Sequence, residues 1–168
     1  MLTINPRAIF LVSMLSGLMS TQANADEVVR HKIPNSDFPI SLAVEIPASA
    51  TLVNLSGAVP PVIDSKADPK SIAAYGDTEA QTVSTLKSIE STLKGLGLSL
   101  GDVVKMQVYL VGAANNDGKM DYAGFMKGYA QFFGAAGQKN LPTRSVFQVA
   151  GLANPGFLVE IEVSAVRP

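Results

Sequence analysis

Three ionisable side chains stand in apolar surroundings near the C-terminus: Arg144 in Thr143-Arg144-Ser145-Val146-Phe147, and Glu160 and Glu162 in Leu158-Val159-Glu160-Ile161-Glu162-Val163. A guanidinium is costly to bury without an anion, so Arg144 in such a strand needs a partner. Two chemistries supply one. The first is an Arg–Glu pair tying a hairpin or a subunit interface together. The second is a guanidinium left free to grip a ligand carboxylate through two parallel hydrogen bonds. Residue chemistry alone leaves both open. Strand period two puts Arg144 with Val146 and Gln148, and Glu160 with Glu162 and Ser164.

Other chemistries fall away. The 168-residue chain has no cysteine and one histidine, His31. That excludes disulfides, thiol nucleophiles, cysteine-ligated zinc or iron–sulfur clusters, and multi-histidine metal sites. Gly95-x-Gly97-x-x-x-Gly101 has one residue too many for a dinucleotide fingerprint. The Gly112 to Gly118-Lys119-Met120 stretch has five intervening residues where a phosphate loop wants four, and Met where a hydroxyl must reach magnesium. No G-x-S-x-G elbow is present, and His31 is expected to be exposed and structural. Asn54-Leu55-Ser56 matches a glycosylation sequon inside an apolar strand, where it carries no function. Neither a cofactor nor a metal is expected. A net charge of −1 speaks against a phosphate-tracking nucleic-acid binder.

The N-terminus reads as a targeting segment. Arg7 precedes a short apolar run over residues 8–19, and Ala23-Asn24-Ala25 forms a small-x-small cleavage site. The run is too short to cross a bilayer, which takes about 20 residues as helix. A signal peptide is thus expected over residues 1–25, with cleavage after Ala25, a periplasmic or secreted product, and no membrane attachment afterwards. Residues 26–168 form a single domain. Charged residues are only 16% against a usual share of about 25%, so part of the surface is expected to be buried against other subunits.

The elements that must position these side chains follow from periodicity. Short strands are expected over residues 28–33, 42–46 and 52–56, followed by a long loop over 59–76. Asp77 caps a helix with Val83, Leu86, Ile89, Leu93 and Leu96 on one stripe. Residues 103–111 are a strand with Val104, Met106, Val108 and Leu110 on one face. Asn115-Asn116-Asp117-Gly118 is a turn, and Asp121 caps a second helix whose aromatic stripe runs to Phe133. Residues 144–149 and 158–166 read as a hairpin across Asn154-Pro155-Gly156. The class is α+β: one mixed sheet with two helices on one face.

Leu141-Pro142-Thr143-Arg144-Ser145, followed by the segment from Leu158 to Val166, resembles the signature of the Rid (RidA/YjgF-like) family. So do Ser56-Gly57-Ala58-Val59-Pro60, Gly101-Asp102-Val103-Val104-Lys105, and Tyr129 with Phe132-Phe133. The resemblance runs from about Phe38 to the C-terminus. It implies a chorismate-mutase-like fold, a homotrimer with clefts between subunits, and cofactor-free hydrolysis of enamines and imines such as 2-aminoacrylate to 2-oxo acids and ammonia. It also implies roles. Arg144 holds the substrate carboxylate, Glu160 places and polarises the attacking water, and Ser56 with Gly57 lines the pocket. Val146 stands where the family has a cysteine used mainly through its backbone carbonyl.

Departures qualify the implied activity. Phe38-Pro39-Ile40 replaces Gly-Pro-Tyr, so a pocket tyrosine is lost, and Met126 stands where an asparagine is expected. Export would also separate the chain from the cytosolic sources of enamines, so a different ligand is expected. Two functions from different classes follow: an exported imine/enamine deaminase, or a non-catalytic trimer that binds small carboxylate metabolites. A ligand-free, chaperone-like trimer is a third.

Overall fold

The computed structural model describes residues 27–113, 116–134 and 137–167. The expected signal peptide lies outside the described residues, as does Asn115 of the expected turn. In chain order the elements are β1 (Val29–Lys32), β2 (Ser41–Glu45), β3 (Thr51–Asn54), α1 (Thr78–Gly95), β4 (Val103–Val111), α2 (Tyr122–Tyr129), β5 (Thr143–Val149) and β6 (Val159–Arg167). The class is the expected α+β.

The mixed sheet has four strands in the order β3–β6–β4–β5, and β1 with β2 forms a separate antiparallel ribbon. β4 and β5 are parallel, joined by the α2 crossover, and the other two pairings are antiparallel. The alternation in β4 is as read: Met106, Val108 and Leu110 are fully buried on one face. They meet Ile161, Val163 and Ala165 of β6, Leu86, Ile89 and Leu93 of α1, and Phe125 and Tyr129 of α2 in one core.

The expected hairpin between residues 144–149 and 158–166 is not formed. β5 and β6 lie on opposite sides of β4. The crossover forces β5 parallel to β4 at the sheet edge, and β6 then takes β4's other flank. Asn154-Pro155-Gly156 is therefore an anchor in a longer connection. Asn154 Nδ2 donates to the Pro69 carbonyl (2.9 Å) and to Tyr75 Oη (3.2 Å). That fixes the long loop after Val59, which ends in a short 3-10 turn over Ile72–Ala74. Its buried Tyr75 packs edge-on against Phe157 at 4.8 Å between centroids.

Both helix starts are as read: Asp77 accepts from the Ala80 amide at 2.8 Å and Asp121 from the Gly124 amide at 2.9 Å. The buried face of α1 is more polar than its apolar stripe. Leu96 is exposed beyond the helix, whereas Gln81, Thr82 and Thr85 are fully buried. Gln81 is saturated, donating to the Gly76 and Gly156 carbonyls (each 2.9 Å) and accepting from the Leu158 amide (2.7 Å). The second helix is shorter than its aromatic pattern, ending at Tyr129. Gly134, at φ +98°, then turns the chain. Phe133 still reaches the core and stacks on Tyr129 at 4.9 Å.

The ribbon is tied to the start of β5. Arg30 donates to the carbonyls of Gly101, Val103 and Leu141 at 2.8–2.9 Å. Ser41 bonds to the Pro142 and Leu141 carbonyls. Tyr129 Oη donates to the Pro39 carbonyl at 2.7 Å, pinning Phe38 and Ile40 over the edge of the sheet.

This packing has two measurable consequences. At Gly128 a Cβ would stand 2.8 Å from Thr82 Cβ and 3.0 Å from the Glu79 carbonyl. Gly128→Ala should therefore force α1 and α2 apart and lower the urea-unfolding free energy by about 1–3 kcal/mol. Burial pushes the Tyr129 hydroxyl up to about 12, the Arg144 charge acting the other way. Its stabilisation is complete below the unfolded value near 10, where both states keep the proton. It is lost as pH rises towards about 12, because only the unfolded chain ionises. Between about pH 9 and 11.5 the parent should thus lose up to roughly 2 kcal/mol more than Tyr129→Phe in denaturant titrations.

Candidate functional site

Arg144 sits opposite Met106 in the β4–β5 register, so its side chain enters the face covered by α2. There it meets rings. Its guanidinium carbon is 4.2 Å from the Tyr129 ring centroid, 5.1 Å from Phe125 and 5.5 Å from Phe38. Nη2 donates to Tyr122 Oη at 3.3 Å and lies 3.3 Å from Met126 Sδ. Nη1 is buried and has no hydrogen-bond partner. Burial pulls the Arg144 pKa below its ordinary value, with Tyr129 and Tyr122 opposing the shift. A guanidinium remains a cation all the same.

Among the described residues no carboxylate pairs with that charge. The only contact of salt-bridge length among the described residues is between His31 Nε2 and Glu45 Oε1, at 2.6 Å on the exposed ribbon. The Arg–Glu pair left open by the sequence is therefore absent within one chain. Rings facing a cation contribute about 0.5–2 kcal/mol each, and they leave every N–H of Nη1 unanswered. The arrangement is a cation held in place with hydrogen-bonding capacity to spare.

Glu160 is on the other face. It pairs in register with Tyr109, and Glu162 with Gln107, on the side of the sheet that no helix covers. Tyr109 Oη donates to Glu162 Oε2 at 3.1 Å and accepts from Gln107 Nε2 at 3.2 Å. Burial, and then the neighbouring Glu162 and Glu160, raise the Tyr109 hydroxyl pKa. Phe147 stacks on Tyr109 at 6.2 Å and stays 47% exposed.

Residues 56–58 run beside Glu160. The Ala58 amide and carbonyl exchange hydrogen bonds with Ile161 at 2.9 and 3.0 Å, which draws Gly57 across the Glu160 carboxylate. A Cβ on Gly57 would run into Glu160 Oε1. Ser56 is exposed next to them. The chain thus brings together Ser56, Gly57 and Glu160 on the open face, and Arg144 with Val146 on the helix face. It does not bring the two groups together within one protomer. Sequence reading missed the cage itself. Tyr122, Phe125 and Tyr129 were legible as core aromatics, but nothing in their spacing showed that they close on Arg144. Among the described residues, no three acidic or histidine side chains gather closely enough to hold a metal ion.

Comparison with known proteins agrees with the fold. The family model described as Endoribonuclease L-PSP matches residues 41–167. The 2-iminobutanoate/2-iminopropanoate deaminase of Salmonella typhimurium is 31% identical over 117 residues, which are 70% of this chain and 80% of that protein. The TdcF protein of Escherichia coli is 36% identical over 91 residues, 54% of this chain, and the match spans 64% of that protein's length. The crystal structure of Escherichia coli TdcF with bound serine superposes with a TM-score of 0.52 at 27% identity, covering 84% of this chain and 98% of that one. A Rid-family protein from Yersinia pestis reaches a TM-score of 0.59 at 24% identity, covering 83% and 96% of the two chains, a likeness of fold. The chain belongs to the Rid (YjgF-like) family, the one whose model is described as Endoribonuclease L-PSP.

Proposed function

We propose that this chain is an exported deaminase of small 2-imino and enamine acids, working in clefts between the subunits of a homotrimer. The observation that carries the proposal is the Arg144 guanidinium, held among rings with neither a carboxylate nor a partner for Nη1 among the described residues. A planar fork of that kind matches a carboxylate. The deaminase name of the Salmonella typhimurium relative and the serine in the TdcF crystal structure support a small amino-acid-like ligand. The leader expected over residues 1–25, with cleavage after Ala25, supports a periplasmic or secreted location.

The chemistry asks little of the protein. An enamine acid first moves a proton from nitrogen to its β-carbon and becomes the imine. Water then adds to the C=N carbon with one of its protons passing to nitrogen, giving a carbinolamine. The hydroxyl proton follows to nitrogen as the C–N bond breaks and the C=O forms, so that ammonia leaves a 2-oxo acid. Arg144 holds the carboxylate and draws electrons from the adjacent imine carbon. Glu160, next to Gly57 on the open face of β6, accepts a proton from the attacking water. Ser56 and the Val146 backbone line the pocket. No cofactor or metal is required by these steps.

Because Arg144 and Glu160 lie on opposite faces of one sheet, a single site using both needs two protomers. Leu52 (50% exposed) and Phe147 on the open face support such an assembly. The net charge of −1 and the carboxylates on that face weigh against RNA as substrate. Met126 against the guanidinium favours a second reading, a trimeric binder of small carboxylates without turnover. That reading uses Arg144 and leaves Glu160 idle.

Light scattering should give about three times the mass of the mature chain. A monomer at micromolar concentration would remove the shared cleft. Arg144→Lys should weaken binding of a small carboxylate at least tenfold, since the charge stays and the fork is lost. Glu160→Gln should leave that affinity intact and lower ammonia release from freshly generated imino acids, and Gly57→Ala, which displaces Glu160, should do the same. Unchanged turnover in both variants would remove Glu160 from the mechanism, and no turnover in the parent would leave the binder.

A further inference from the structure

Tyr122 opens α2, directly after its Asp121 cap, and its ring is 37% exposed. Its hydroxyl oxygen accepts a hydrogen bond from Arg144 Nη2 at 3.3 Å. Among the described residues the Tyr122 hydroxyl donates to nothing. The other hydroxyl beside Arg144 differs: Tyr129 has spent its proton on the Pro39 carbonyl at 2.7 Å. Met126 Sδ, on the same Nη2, offers no donor. One free O–H therefore stands at the guanidinium, and it stands at the solvent side.

We infer that Tyr122 is a ligand-contacting residue of this site, its phenolic O–H donating to the same anion that Arg144 binds. Because its oxygen accepts from a cation, the O–H bond is polarised and becomes a better donor. Because that oxygen faces Nη2, the hydrogen turns away from the guanidinium, towards the space an anion would fill. A carboxylate there meets N–H groups from Arg144 and an O–H from Tyr122. The apolar remainder of the cage, Phe38, Phe125 and Met126, offers its substituents no polar partner. The class of ligand is a small 2-oxo or 2-imino acid with an apolar side chain.

This inference rests on the reading that Arg144 takes a carboxylate, and one titration separates the two. Full-length mature protein carrying ¹³C at the tyrosine Cζ is titrated with pyruvate, and with pyruvamide as the uncharged control. The Tyr122 resonance is identified by its loss in Tyr122→Phe. It should shift on saturation with pyruvate, and Tyr122→Phe should raise the pyruvate Kd about tenfold. Thermal unfolding should stay at the parent's midpoint, since the lost hydroxyl is at the surface. Pyruvamide should bind the parent and the variant alike. Pyruvate binding that is abolished by Arg144→Ala but unchanged in Tyr122→Phe, or an unmoved Tyr122 resonance at saturation, overturns the role of Tyr122 and leaves the carboxylate site standing. Pyruvate binding indifferent to Arg144→Ala, or none at all, overturns both.

Discussion

A half-buried cation, with no counter-carboxylate among the described residues, organises one whole side of this molecule. Arg144 is held by ring faces, and those rings have to be brought from separate places. Phe125 and Tyr129 come from one face of α2, and Phe38 from the segment before β2. The Tyr129 hydroxyl then holds the Pro39 carbonyl, so the ring beneath the guanidinium also fixes the ring above it. Arg30 secures the same corner from outside by bonding to three carbonyls at the starts of β4 and β5. Desolvating a charge is expensive, and quadrupoles return only part of the loss. A corner built with this many ties around an incompletely satisfied donor is what a preformed anion site requires.

The same sheet that presents Arg144 keeps Glu160 away from it. Strand residues alternate faces, and pairing in register carries that parity from strand to strand. Met106 faces the helices, so Arg144 beside it does too, and Tyr109 faces out together with Glu160. No side-chain rotation carries a carboxylate through the sheet. β5, however, is an edge strand with β4 as its only neighbour in the sheet. Its outer margin is where another protomer's open face could arrive, carrying Glu160 and Gly57 with it. A shared cleft is the arrangement that parity leaves available.

Local periodicity made much of this legible. The alternation of β4 and the Asp77 and Asp121 caps could be read directly, because a strand face and a helix start are set by neighbours in sequence. The pairing of β5 could not. Its alternation fits a hairpin with β6 equally well, and only the α2 crossover decides for β4. Asn154-Pro155-Gly156 has a turn's composition, yet Asn154 reaches back to Pro69 and Tyr75, contacts no local pattern encodes. Gln81 lies off the apolar stripe and is fully buried, because its three partners are backbone groups from outside its own helix. At the site the divide is the same. The need of Arg144 for a partner could be read from residue types, and the identity of its rings could not, since Phe38 and Tyr129 are far apart in the chain.

The two halves of the site also differ in what supports them, and this bears on how function can change. The Arg144 half depends on α2, β5 and the ribbon, and its ties run through the core. The Glu160 half depends on β6 and on a glycine whose missing side chain makes room for the carboxylate. Its contacts face outward and carry little of the packing. A substitution at Gly57 or Glu160 can therefore remove the water-directing group while the anion cage stays intact, whereas the two fully buried rings of the cage, Phe125 and Tyr129, cannot be altered without disturbing the core. Binding is the structurally entrenched property of this fold, and hydrolysis is the separable one. A carboxylate binder and an imine deaminase on this scaffold thus differ by a few residues on one open face, and the helix side of the sheet can be common to both.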